Sequence, residues 1–262
     1  MTTRLPVFLA FLCASPCLLV ACADDSEAAP LTDPVSDEAA IVGGRPDRGH
    51  DLAVVAIAIG DDALCTGSLI APDVVLTARH CVSVTAEAID CESGQRQLVS
   101  DRDPATLTVL VGDDITTATP VARGASLLTP TGTTLCEHDI ALVKLDRAVE
   151  GVTPLRVGAS LDDDTRLRAV GFGQRRDDGP AGRKFVKVHV PVLGASASEL
   201  MVGEVTCHGD SGGPAIDEAT GHVVGVLSRG GPGCQGPDTR NIYTRPGAFA
   251  SLLRRAGVSV AP

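Results

Sequence analysis

The stretch Cys207-His208-Gly209-Asp210-Ser211-Gly212-Gly213-Pro214 decides how the rest of the chain is read. Its three glycines let the backbone turn sharply and let another molecule approach the main chain closely. The alcohol among them, Ser211, is a weak nucleophile until a base takes its proton. A base and its acid partner stand upstream: His80 in Leu76-Thr77-Ala78-Arg79-His80-Cys81, and Asp139 in Asp139-Ile140-Ala141-Leu142. In such a set the carboxylate fixes the imidazole tautomer and the imidazole activates the alcohol. The order His, Asp, Ser is one of the few that triads use.

The 262 residues are 44% hydrophobic and 21% charged, ordinary globular composition with enough chain for a full core. The net charge of -11 disfavours nucleic acid and anionic lipid as partners. The charge is uneven. Asp24, Asp25, Glu27, Asp33, Asp37 and Glu38 lie in residues 23–40, which hold no Lys or Arg and read as a solvated acidic linker or pro-segment. Ahead of it, Arg4 and the apolar run Leu5 to Ala21 read as a secretory signal over residues 1–22, too short and proline-interrupted for a membrane span. Its end, Leu19-Val20-Ala21-Cys22, resembles the bacterial lipoprotein cleavage box, which implies lipidation of Cys22. The alternative is ordinary cleavage near Ala21 or Ala23. The expected location is secreted or cell-envelope, with membrane contact only through that anchor.

Of nine cysteines, Cys13, Cys17 and Cys22 belong to the leader, and the even number left suggests disulfides in an exported protein. Spacing does not choose their pairing. A zinc site at Cys207 and His208 is disfavoured for want of a second ligand pair; no metal or cofactor is expected. From Ile41 on, short runs rich in Val, Ile, Leu and Thr alternate with turn residues: Leu52 to Ile59, Val74 to Ala78, Thr106 to Val111, Ile140 to Leu145, Arg166 to Val170, Phe185 to Val192 and His222 to Leu227. The pattern predicts an all-β sandwich or barrel without a sequence repeat. One terminal helix is expected, with Pro246 in its first turn, Phe249, Leu252 and Leu253 on its apolar face, and Gly257 as its stop.

Together these blocks resemble the trypsin/chymotrypsin-like serine proteases, over Ile41 to about Tyr243. Besides the triad segments, the resemblance includes Ile41-Val42-Gly43-Gly44, Val170-Gly171-Phe172-Gly173 (Phe172 where the family usually has Trp), Ser228 and Ile242-Tyr243-Thr244. It implies a protease domain over 41–262 with two antiparallel six-stranded β-barrels, the active site in the cleft between them, and a short C-terminal helix. His80 and Asp139 would come from the first barrel and Ser211 from the second.

The resemblance assigns roles. Ser211 would be the nucleophile, His80 the general base and then acid, Asp139 its orienter, and Ser228 a hydrogen-bond donor to Asp139. The N–H groups of Gly209 and Ser211 would form the oxyanion hole. A cut before Ile41 would free an ammonium that pairs with Asp210, making the chain a zymogen. Bridges Cys65–Cys81 and Cys207–Cys234 are implied. Cys91 and Cys136 are left over, and a bridge between them would tie a loop after His80 to the segment before Asp139. Arg79 replaces the usual Ala beside the base, where its charge would lower the imidazole's pKa.

Val205 matches the base of the primary pocket, with Thr206, His208, Gly230 and Asn241 around it. Val205 cannot pair with Lys or Arg, and Asn241, usually glycine, should partly fill the pocket. A small or medium neutral residue before the cut bond is expected. His208 and Arg229 make an acidic residue second choice. The stretch from Val192 to Cys207 is shorter than in animal digestive enzymes. Ala40 before Ile41 suits self-activation by such a pocket, and the cut would release a lipid-anchored form. Partners would be protein or peptide substrates and protein inhibitors, with the enzyme a monomer. The rival readings are a catalytically silent binding protein of the same fold and, more weakly, a carboxylester hydrolase, whose serine elbow ordinarily precedes its histidine.

Overall fold

The computed structural model describes residues 1–2, 41–60, 63–86, 91 and 94–262. The expected leader, Cys22 and the acidic segment with Ala40 lie outside the described residues. Among those described, no helix is long and apolar enough to cross a membrane.

Among the described residues, twelve strands carry the fold. The first six are β1 Val54–Ile59, β2 Ala63–Ala71, β3 Val74–Thr77, β4 Leu107–Val111, β5 Thr119–Leu128 and β6 Ala141–Leu145. They form a closed antiparallel barrel in the order β1-β2-β3-β6-β5-β4 and back to β1. Runs such as Val54-Val55-Ala56-Ile57-Ala58-Ile59 are apolar at nearly every position because most of both faces is buried. The next six are β7 Arg166–Gly171, β8 Phe185–Pro191, β9 Glu199–Val202, β10 Pro214–Asp217, β11 Val223–Gly231 and β12 Arg240–Thr244. Their pairing, β8-β7-β10-β11-β12-β9, follows the same order as the first half. The two halves thus repeat in topology although the sequence shows no repeat.

One difference separates the halves. Among the described residues, β8 and β9 do not pair, so the second half belongs to a ten-stranded sheet with a seam where the first closes. Short strands cover both open edges. Arg45–Pro46 pairs with β8, and Gly194–Ala195 pairs with β9. Covering satisfies edge N–H and C=O groups that would otherwise invite association.

The strands expected from the sequence form, with ends moved by a residue or two except at β11, which runs on through Gly231. The terminal helix forms as a 3₁₀ turn at Pro246–Phe249 followed by α-helix Ala250–Arg255, with Leu252 and Leu253 buried. Gly257 follows with φ +79, the left-handed backbone that suits glycine after a helix.

A buried ion cluster joins the halves. Lys184 is fully buried; its ammonium donates to the carbonyls of Asp51 (2.9 Å) and Val54 (3.3 Å) and lies 3.2 Å from Asp113. It sits 5.5 Å from the centre of the Phe172 ring, and Arg168 meets Asp51 at 2.7 Å. A buried ammonium requires such full partnering.

Candidate active site

Asp139, 1% exposed, ends the segment that leads into β6. Its Oδ2 lies 2.7 Å from His80 Nδ1 and accepts the Ser228 hydroxyl at 2.7 Å, while Oδ1 accepts the His80 backbone N–H at 3.0 Å. His80 lies in a single turn, Arg79–Val82, directly after β3, and Ser228 lies in β11. One carboxylate therefore joins the two halves and fixes both the position and the tautomer of the imidazole. Burial pushes the His80 imidazole towards neutrality, but the charge and hydrogen bond of Asp139 outweigh it, so His80 is more basic than an ordinary histidine.

The feared effect of Arg79 does not arise. Its guanidinium turns away and bonds to Ser83 Oγ (3.0 Å), the Pro130 carbonyl (2.8 Å) and Asp101 (2.9 Å), which neutralises it.

The Ser211 turn packs against β2 and against the end of β3, the strand that leads to His80. Thr66 donates its N–H to the Ser211 carbonyl at 2.8 Å. Gly212, at φ +80, leaves no room for a side chain: a Cβ there would run into Thr77 Oγ1 and the Ala78 nitrogen. Among the described contacts, Ser211 Oγ makes no hydrogen bond with His80; such bonds commonly tighten only with substrate. Nor do the N–H groups of Gly209 and Ser211 bond to any described residue, so both donors are available. Gly209 (φ +98) is anchored through its carbonyl, which accepts Thr66 Oγ1 at 2.9 Å.

Asp210 faces inward and is buried. Its oxygens accept the N–H groups of Gly173 (2.7 Å) and Cys207 (2.9 Å). No cation among the described residues contacts it, and burial pushes its carboxyl up to about 7 against those two hydrogen bonds. Ile41 is wholly buried in the core of the second half, and the Val42 N–H donates to the Val205 carbonyl at 2.7 Å.

Beside Ser211 opens a cavity of about 380 Å³, lined among others by Thr206, His208, Ser228, Gly230, Cys234 and Asn241. Val205, expected at its base, does not line it. Its side chain joins the core, 2% exposed, and Asn241 stands in its place. The Asn241 Oδ1 accepts the N–H groups of both Val205 (2.9 Å) and Thr206 (3.0 Å), which turns its Nδ2 toward Gly230. Arg229 is not a free positive charge either. It makes a two-pronged pair with Glu199, at 2.6 and 2.9 Å. The sequence carries no signal for this pairing, because nothing in a lone glutamate 30 residues before Arg229 marks it as a partner.

Cys65–Cys81, Cys91–Cys136 and Cys207–Cys234 are all disulfide-bonded. The last removes the Cys207 thiolate as a metal ligand and closes one wall of the cavity.

A family model for trypsin matches residues 41–253. The chain is 29% identical over 218 residues to chymotrypsin-like elastase family member 3B of Macaca mulatta, covering 72% of this chain and 80% of that protein. It is 29% identical to a trypsin of Saccharopolyspora erythraea over 236 residues, 81% of this chain and 96% of that one. A trypsin-like protease of Streptomyces glaucescens matches at 25% over 249 residues, 87% and 86% of the two chains. A match that runs through both halves, with the strand order and the His80–Asp139–Ser228 bonding behind it, means that this chain belongs to the trypsin family of proteases.

Proposed function

We propose that the chain is an exported serine endopeptidase made as a zymogen. The observation that carries this reading is the single Asp139 carboxylate bonded at once to His80 and to Ser228, which with Ser211 lines the neighbouring cavity. Ser211 Oγ attacks the peptide carbonyl while His80 Nε2 takes its proton. The N–H groups of Gly209 and Ser211 hold the tetrahedral oxyanion. His80 then protonates the leaving amine, and water releases the acyl group by the same route in reverse.

Residues 1–22 act as the leader, with Cys22 lipidated, 23–40 as the pro-segment and 41–262 as the catalytic domain, a monomer that acts on proteins or peptides and is open to protein inhibitors. Activation is the cut before Ile41. Two observations support it. In the uncut chain Ile41 has φ +56, costly for a β-branched residue, and a new N-terminus is free of that constraint. Asp210 is also a buried carboxylate awaiting a cation. Ala40 before the cut suits self-activation, and the cut releases a soluble enzyme.

The residue before the scissile bond is small or medium and uncharged. Asn241 shortens the pocket with a neutral carboxamide, and the pairing of Arg229 with Glu199 removes the main argument for an acidic residue. A fluorophosphonate probe tests the chemistry. It should label the wild type once cut before Ile41 and spare Ser211→Ala; a cut wild type that stays unlabelled would leave the silent binding protein as the better reading. Sequencing peptide-library products and the enzyme's own N-terminus tests specificity and activation.

A further inference from the structure

The segment that delivers Asp139 to His80 is held from both sides, and one of its holders belongs to no part of the triad. Glu199, on β9, accepts the Glu137 backbone N–H at 2.9 Å with the same Oε1 that meets Arg229 at 2.6 Å. Its other oxygen meets Arg229 at 2.9 Å. Arg229 directly follows Ser228, and Glu137 lies two residues before Asp139. A single carboxylate therefore bridges the two stretches of chain whose side chains meet at Asp139 Oδ2.

The Glu137 stretch does not adopt its shape by default. Glu137 has φ +66, a left-handed backbone that a glutamate adopts at a cost unless its surroundings impose it. Cys136 is fixed by its bridge to Cys91, and the His138 ring meets Phe249 edge-on at 6.0 Å. Glu199 supplies the hydrogen bond at the strained residue itself. The pair is poorly solvated, with Glu199 15% and Arg229 30% exposed, so it is screened less than a surface pair. Burial alone would raise the Glu199 carboxyl, but bonding to Arg229 and to the Glu137 N–H outweighs it and keeps it below the ordinary glutamate range.

We infer that Glu199 is a positioning residue: its carboxylate, shared between Arg229 and the Glu137 N–H, locks the Asp139 segment onto the Ser228 strand and so sets the His80–Asp139 alignment. The inference rests on the peptidase reading for its catalytic meaning. Its geometric content can be tested without turnover.

The protein cut before Ile41 and its equally cut Glu199→Gln, Glu199→Asp and Arg168→Met variants are compared by two readouts. One is the rate of fluorophosphonate labelling of Ser211. The other is the downfield proton NMR signal of the His80 Nδ1 proton shared with Asp139. Arg168 pairs with Asp51 at similar exposure, away from the triad, and controls for general destabilisation. Glu199→Gln should slow labelling about tenfold, as expected for a slightly misplaced catalytic group, and should broaden or shift the signal. Glu199→Asp should recover part of both. Arg168→Met should lower the melting temperature and change neither. A Glu199→Gln protein with wild-type labelling and an unchanged signal overturns the inference, as does an Arg168→Met protein that mimics it. If the wild type is not labelled at all, the peptidase reading fails. The signal then decides alone: a change confined to the Glu199 variants supports the inference, and an unchanged one defeats it.

Discussion

Asp210 makes the uncut chain sensitive to alkali in a way that can be measured. An ordinary aspartate has a carboxyl near 3.8, and burial brings Asp210 to about 7. The sign follows directly. Between those values the folded chain holds a proton that the unfolded chain releases, so stability falls as pH rises and stays low above about 7. The whole gap is worth on the order of 4 kcal/mol, of which about 3 kcal/mol is lost between about pH 5 and about pH 8. The assay is urea unfolding of uncut Ser211→Ala protein, which cannot cut itself, against Ser211→Ala/Asp210→Asn. The carboxamide cannot ionise, so the pH-dependent loss of the first protein relative to the second isolates Asp210. Cleavage before Ile41 should abolish that loss, because an ammonium beside Asp210 favours the charged carboxylate. Parallel pH profiles for the two uncut proteins would refute the reasoning.

Other perturbations reach different parts of the site. His80 is more basic than an ordinary histidine and must be neutral to act, so the acid limb of kcat/KM should titrate above about 6.5. Asp139→Asn should shift that limb downward and reduce kcat about ten-thousand-fold. Asn241→Gly removes the acceptor for two buried N–H groups and should cost about 1–3 kcal/mol in denaturant unfolding, while peptide-library cleavage shifts to larger residues before the cut bond. Replacing Cys91 and Cys136 together by Ala opens a 45-residue loop and should lower stability by about 2–4 kcal/mol, read by the same unfolding assay.

The β-runs were legible because strands buried on most of both faces show as near-continuous Val, Ile and Leu, as in Val54 to Ile59. Strands without that signature were harder to see. Thr119–Leu128 mixes Pro, Arg, Gly and Ser because its outward residues face water, and Pro214–Asp217 is short and lies beside the serine turn. The stretches proposed to hold the triad stood out because such chemistry demands particular residue types in a local motif. The pocket did not follow from matching positions. Val205 occupies the expected place in the chain, yet Asn241, 36 residues away, caps its N–H and takes its place at the cavity.

The sequence by itself determined the class of fold, the blocks that hold the proposed nucleophile, base and acid, and the family resemblance, because each is written in neighbouring residues or in a strict order along the chain. Only the tertiary structure decided what each charge meets. Arg79 turns to Asp101, Arg229 to Glu199, and Lys184 sinks between the halves. Whether a charge acts on a site depends on distance, burial and the nearest counter-charge, and those are set by segments that meet only when the chain has folded.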